Sequence, residues 1–393
     1  MLDFNKVNLQ LTNIDWEIEE ENYKTRERLE EAIKLFKKAI NDTTLVTKIE
    51  QSKDLIGFNF AYTLEKLNEI KDVPVLPDKF IVAATDGSQI TPSHHEIALC
   101  YLINVGRILY IYGTGDKPLQ ESQPILYYKE KDLYTSFKHH KISISEDLIA
   151  IERMQNEIQE LVKLASVAKE RYQYPLLLMV DGSLVNWSID NILYPEELKQ
   201  NILERYIKNL EQLKNYYSPI CGYISNSRRN EVINRLKLLS CPYEEINCDE
   251  LCKDKEECKS FGALIDRKLW EVLLSPGQRS PLFMSSFSTF EKYPDYRICF
   301  FYLKIMELEV ARIEIPLWVA KDDKLVDIVH SFCFDQSKKG YGYPVALSEA
   351  HNQAVIKGDD RVQFYSLLSR KMLKQKRRIA LSSKELRKRG GII

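Results

Sequence analysis

The sequence shows no excess charge of either sign, no apolar run long enough to cross a membrane and no Walker phosphate loop. Lys and Arg number 56 against 57 Asp and Glu, for a net charge of −1. Any affinity for nucleic acid must therefore come from local basic patches, not from a global field. Without an apolar stretch of about eighteen residues, an ordinary membrane-spanning helix is excluded. The opening Met1-Leu-Asp-Phe-Asn-Lys lacks the pattern of a secretory leader, so a cytoplasmic protein is expected. The absence of G-x4-G-K-[ST] means that ATP-driven movement by that route would need a separate motor. Eight cysteines in 393 residues do not describe a disulfide framework. A chain of this length, 44% hydrophobic and 29% charged, reads as a globular protein of one large domain with an appendage, or of two domains.

What is present is a repeated strand ending. Phe80-Ile-Val-Ala-Ala-Thr-Asp86-Gly-Ser-Gln and Pro175-Leu-Leu-Leu-Met-Val-Asp181-Gly-Ser-Leu each join an apolar run to an aspartate and a glycine. Such runs read as buried strands, parallel or central. Each aspartate then stands at the carboxyl end of its strand, where open α/β sheets place their ligand sites. Asp-Gly alone is a common turn; two copies behind similar apolar runs predict a paired-carboxylate site. Carboxylates that close are costly unless a cation lies between them or one proton is shared.

The flanking segments supply further candidates. Residues 16 to about 75 read as helix, broken after Ile40 and resuming from about Leu45 to Ile70, a hairpin or dimerisation arm. Two strands separated by Gly106 are expected after Asp86, as an antiparallel meander. His94 and His95 sit in a polar loop, either solvated or as ligands. The 147–170 segment carries an apolar stripe of Leu148, Ile151, Met154, Ile158, Leu161, Val162 and Ala165. On that helix Glu157 is the flank carboxylate best placed to reach the seam with the sheet, with Arg153 one turn earlier able to hold it. Glu160 falls farther round, and a solvated Glu157 is the alternative. A helix from Pro195 to Tyr217, a strand at Ile220, a helix at Glu231 and a strand pair beginning at Tyr296 and Val310 follow. Gly340-Tyr-Gly-Tyr343-Pro then leads into a short helix on which His351 shares a face with Leu347 and Ala354 and is expected to point inward.

Cys241, Cys248, Cys252 and Cys258 form C-x6-C-x3-C-x5-C. This set could chelate Zn2+ or an iron–sulfur cluster, or be free thiols in an insertion loop. Arg228 and Arg229 make a basic loop that faces phosphate or water. The tail from Arg370 to Arg389 holds ten Lys and Arg, among them Lys374, Lys376, Arg377 and Arg378, against Glu385 alone. Such a tail suits an electrostatic hold on nucleic acid or an acidic partner, or is solvated.

Together Asp86-Gly-Ser, Arg153-x3-Glu157, Leu178-Met-Val-Asp181-Gly-Ser-Leu and Tyr343-Pro…Glu349-Ala-His351 resemble the NurA family of DNA-end-processing nucleases, from about Phe80 to Leu368. The resemblance implies an α/β fold, a ribonuclease H- and PIWI-like mixed sheet flanked by helices, here with an N-terminal helical extension. The domains would be 1–76, a helical arm; 77–369, the nuclease domain with a cysteine insertion at about 241–260; and 370–393, the basic tail. It implies catalytic residues Asp86, Glu157, Asp181, Tyr343 and His351, with all but Tyr343 as ligands of two Mn2+ or Mg2+ ions. It also implies 5'–3' exonuclease and single-strand endonuclease activity on DNA in end resection and repair, as a homodimer, with a HerA-type hexameric ATPase. The residue types fit independently: phosphodiester hydrolysis uses two cations about 4 Å apart, carboxylates suit Mg2+ or Mn2+, and an imidazole tilts the set toward Mn2+. The alternatives are a non-catalytic DNA-end or translocase adaptor, and an actin/hexokinase-like phosphotransferase, against which the late Gly-rich adenosine loop is missing.

Overall fold

The structure is a computed structural model that describes residues 2–11, 14–42, 44–92, 99–137, 140–185, 194–243, 246–251, 261–287 and 289–374. His94, His95, Cys252, Cys258, Lys376, Arg377 and Arg378, and the side chain of Lys374, lie outside this description. In chain order the strands are β1 (Ala61–Thr63), β2 (Phe80–Ile90), β3 (Tyr101–Tyr112), β4 (Leu119–Tyr127), β5 (Tyr134–Phe137), β6 (His140–Ser143), β7 (Leu176–Asp181), β8 (Ile220–Ile224), β9 (Phe283–Ser285), β10 (Ile298–Met306) and β11 (Glu309–Pro316). The chain divides into two compact units, one of Met1–Val73 with Ile224–Ala320, the other of Pro74–Tyr223 with Lys321–Ile393.

The second unit holds the two Asp-Gly-Ser segments. Its mixed sheet has the order β8-β7-β2-β3-β4, with β2 parallel to β7, β7 parallel to β8, and β3 and β4 antiparallel beside β2. From Phe80 to Thr85, β2 is fully buried, because helices cover both faces at its centre. The long helix Glu146–Arg171 begins where Ser145 accepts a hydrogen bond from the Leu148 amide, with Glu146 and Asp147 in its first turn, both favourable at a helix N-terminus. It packs Ile151, Ile158, Leu161 and Ala165 inward. A short helix, Val345–Ala354, lies against the opposite face, burying Ala346, Leu347, Ala350 and Ala354. This is the expected mixed sheet between helices.

Gly106 does not separate two strands as expected. It lies within β3, paired with Asp86, and its lack of a side chain serves packing rather than a turn. In the first unit, the helix Thr44–Ser52 ends well before Ile70, so the second half of the expected hairpin is a strand and loop. Aromatic and β-branched Phe58-Asn-Phe-Ala-Tyr-Thr suits an extended chain, and the Phe60 amide donates to Ser286 Oγ at 2.9 Å. The core of this unit gathers Phe36, Trp270, Phe283, Phe300 and Tyr302.

Candidate active site

The parallel register pairs Ile81 with Leu176 through Thr85 with Val180. Asp86 and Asp181 are the next pair, on strands about 4.8 Å apart. Gly182 follows with φ +86 and lets the chain turn away, while its amide donates to the Tyr223 carbonyl at 2.8 Å.

Alternation along β2 distributes its residues between the two helices. Thr85 and Gly87 face the long helix. Thr85 Oγ1 donates to the Glu157 carbonyl at 3.1 Å, and a Cβ on Gly87 would stand 2.3 Å from Glu157 Oε1. Only glycine lets the glutamate lie over the strand there. Asp86 and Ser88 face the short helix. Ser88 Oγ and Asn104 Nδ2 donate to the Ala354 carbonyl, the latter at 2.8 Å, and Asn104 also reaches the Gln353 carbonyl at 3.2 Å. These are the C-terminal carbonyls that a helix leaves without internal partners. A Cβ on Gly106 would sit 2.1 Å from the Ala350 carbonyl, so the helix can approach β3 only over glycine. That approach sets the His351 ring against Asp86, Nδ1 to Oδ2 at 2.7 Å.

His351 is not turned inward as its helical face suggested. Its side chain is 63% exposed, because Leu347, Ala350 and Ala354 already fill the seam and the imidazole lies at the rim. Tyr343 hydrogen-bonds Asp181 and meets the buried Tyr223 edge-on at 5.6 Å. Glu160 is 2% exposed and pairs with Arg107 Nη1 and Lys163 Nζ, each at 2.6 Å. Of the two helix glutamates, Glu157 therefore faces the aspartates and Glu160 does not.

The electrostatics follow from this crowding. The half-buried Glu157 carboxyl is pushed up to about 8: lost hydration is the main cause, Arg153 opposes it, and the charges of Asp86 and Asp181 add to it. Lost hydration also raises Asp181, against the Tyr343 hydrogen bond, with the Asp86 charge raising it further. Tyr343 is raised by burial and by the charge of Asp181. Three hard carboxylates and a borderline imidazole are donor types that suit a divalent cation such as Mn2+. As they stand, each is engaged internally: Asp86 with His351, Asp181 with Tyr343, and Glu157 with Arg153 at 3.4 Å. Among the described residues no three His, Cys, Asp or Glu side chains converge closely enough to hold one ion.

The remaining candidates are placed elsewhere. Arg228 is exposed in the first unit. Arg229 is half-buried there, its charge felt by Arg312, Glu231 and Glu314. Cys241 belongs to an apolar cluster with Leu45, Ile49, Phe60, Leu238 and Ile246, against which the half-buried Cys248 packs. Gly87 and Ser88 belong to the Asp-Gly-Ser motif, but the packing roles of Thr85, Gly87, Ser88, Asn104 and Gly106 have no sequence signature, since each acts on a helix far along the chain.

The NurA domain model matches residues 80–356. The chain belongs to the NurA family. Among solved structures, the NurA nuclease from Sulfolobus solfataricus is similar at 13% identity and a TM-score of 0.54, over 95% of this chain and 98% of that one. At that identity the likeness concerns the fold. A NurA structure with manganese aligns at 11% identity over 76% of this chain and 91% of that one, TM-score 0.36. A type 1 ribonuclease H with the type 2 active-site motif aligns at 8% identity over 38% and 64%, TM-score 0.22. No curated protein matches the sequence.

Proposed function

We propose that this NurA-family chain is a divalent-metal-dependent deoxyribonuclease whose active site is Asp86, Asp181, Glu157, Tyr343 and His351. Family membership supports a nuclease function. The observation that carries the assignment of residues is the side-by-side ending of β2 and β7, with Glu157 and His351 brought in by the helices on either face.

Asp86, Asp181, Glu157 and His351 would hold Mn2+ or Mg2+ ions, which supply activation of water and stabilisation of charge on phosphoryl oxygens. Asp86 orients the His351 ring through Nδ1, leaving Nε2 to face substrate from the rim or to bind a cation. The Tyr343 hydroxyl, held to Asp181, fixes that carboxylate and lies where a scissile phosphate would contact it. Thr85 fixes the helix backbone at Glu157 and so the direction of its side chain. The finer proposal follows the family resemblance: 5'–3' exonuclease and single-strand endonuclease action in DNA end resection, as a homodimer working with a HerA-type hexameric ATPase. A motor in trans suits a chain without a Walker loop.

A labelled linear duplex and a labelled single strand, each incubated with EDTA, Mg2+ or Mn2+, test the proposal. Cleavage is expected with the metals only, and to vanish in Asp86→Ala and Asp181→Ala while DNA binding persists. Undiminished Mn2+-dependent cleavage by the Asp86 variant would overturn it.

A further inference from the structure

On the long helix, Arg153 stands one turn before Glu157, about 6 Å nearer the N-terminus. Its aliphatic stem lies across Gly87, the residue after Asp86, where an added Cβ would come within 2.7 Å of its Cγ and 3.0 Å of its Cδ. The arm is thus laid over the end of β2 at the candidate site. Its side chain is 38% exposed, against 14% for Glu157.

How it meets Glu157 is informative. The closest approach is Nε to Oε1 at 3.4 Å, longer than the 2.7–2.9 Å or so of a charge-assisted bond, and the buried Nε makes no hydrogen bond. By contrast, Arg205 holds Glu152 of the long helix with its fork, Nη1–Oε2 at 2.7 Å and Nη2–Oε1 at 2.9 Å, and where Arg312 uses Nε toward Glu314 the bond is 2.9 Å. Arg107 likewise gives its two Nη groups to Glu160 and Glu121. Among the described residues, Arg153 makes one ion pair, through Nε, so its fork is not committed to a carboxylate. A cluster of three carboxylates repels a phosphodiester, and a planar fork of donors matches phosphate oxygens.

We infer that Arg153 is a positioning residue for substrate: with its stem laid across Gly87 and its Nε side toward Glu157, it presents its Nη fork to a backbone phosphate of DNA beside the scissile bond. This rests on the proposed nuclease function, whose own test is the Asp86 variant.

The experiment is fluorescence anisotropy of a labelled single strand in EDTA over a series of salt concentrations, paired with Mn2+-dependent cleavage, for wild type, Arg153→Gln, Arg153→Lys and Glu157→Gln. Arg153→Gln is expected to weaken binding roughly tenfold, as for loss of one charge-assisted contact. It should also reduce the slope of log affinity against log salt by about 0.7, one phosphate contact on a single strand. Arg153→Lys, which keeps the charge without the fork, should retain the slope and lose turnover. Glu157→Gln should lose cleavage with its salt slope intact. A wild-type slope and affinity in Arg153→Gln, with cleavage lost as in Glu157→Gln, would show that Arg153 only holds the glutamate. Wild-type turnover in Arg153→Lys would overturn the role of the fork even if the Gln variant failed to fold. Cleavage by Asp86→Ala would instead remove the nuclease function and leave the binding measurement standing.

Discussion

Two glutamates three residues apart on one helix meet opposite fates, and the strand beneath decides which. Glu157 lies above Gly87 and Thr85, whereas Glu160 is taken by Arg107, the cross-strand partner of Thr85, and by Lys163. Glu157→Gln is therefore expected to lower metal-dependent cleavage by a factor on the order of 100 or more, as for loss of a positioned catalytic carboxylate, with little change in melting. Glu160→Gln should leave cleavage within a few-fold and cost about 1–3 kcal/mol of stability, since a buried ion pair loses its charged acceptor. Turnover and thermal melting of the two variants check both outcomes; equal losses of cleavage would remove the distinction. At this scale the sequence was partly legible. The wheel position of Glu157 pointed to the seam, but the exposure of His351 depended on small alanines filling the space beneath it.

Among the elements, the short helix depends on a glycine in another strand. Gly106→Ala would place a methyl group against the Ala350 carbonyl, so the helix must lift and carry His351 away from Asp86. Misplacement by about 1 Å can cost on the order of 100-fold in rate, and that loss of cleavage is expected with the sheet otherwise folded, as read by circular dichroism. In the first unit the helix Glu231–Ser240 has no side-chain cap from its own Asn230. Asp266 supplies one from a distance, accepting from the Val232 and Ile233 amides at 3.0 and 2.8 Å and from the Tyr302 hydroxyl at 2.9 Å. Burial pushes this carboxyl up to about 7, against the two amide bonds. The fold therefore holds a proton there that the unfolded chain releases near pH 4. The stability gained from that proton is full below about pH 4 and is lost as pH rises through about 7. Asp266→Asn should flatten this part of the stability–pH profile, measured by urea unfolding between those limits; an unchanged profile would mean that the carboxyl is ionised throughout. Elements with strong periodicity, such as Glu146–Arg171 and the pair β10–β11, were readable in advance. The strand Ala61–Thr63 was not, because its pairing with β9 is non-local.

At the scale of the whole molecule, each compact unit is built from two separated stretches of chain. The candidate site joins residues from both stretches of the second unit: Asp86, Glu157 and Asp181 from one, Tyr343 and His351 from the other. A ligand of this site holds those stretches together, so mass action should stabilise the fold. Mn2+ at about a hundredfold over its Kd is expected to add about 2.7 kcal/mol, seen as a raised melting temperature that is lost in the Asp86→Ala, Asp181→Ala double variant. An equal rise in that variant would place the metal elsewhere. Light scattering tests the proposed homodimer, and a single-chain mass would exclude it.

Local chemistry in the sequence determined the two acidic strand ends, the helix that offers a glutamate beside them, and the later Tyr–Pro…His segment, because apolar runs, turn residues and helical spacing act between near neighbours. The tertiary structure alone decided that Asp86 and Asp181 share a register, that Gly87 and Gly106 admit the two helices, and that the Arg153 stem lies across the strand end. Each of those depends on which distant backbone approaches which Cα, and steric room of that kind arises only when the sheet and both helices have packed.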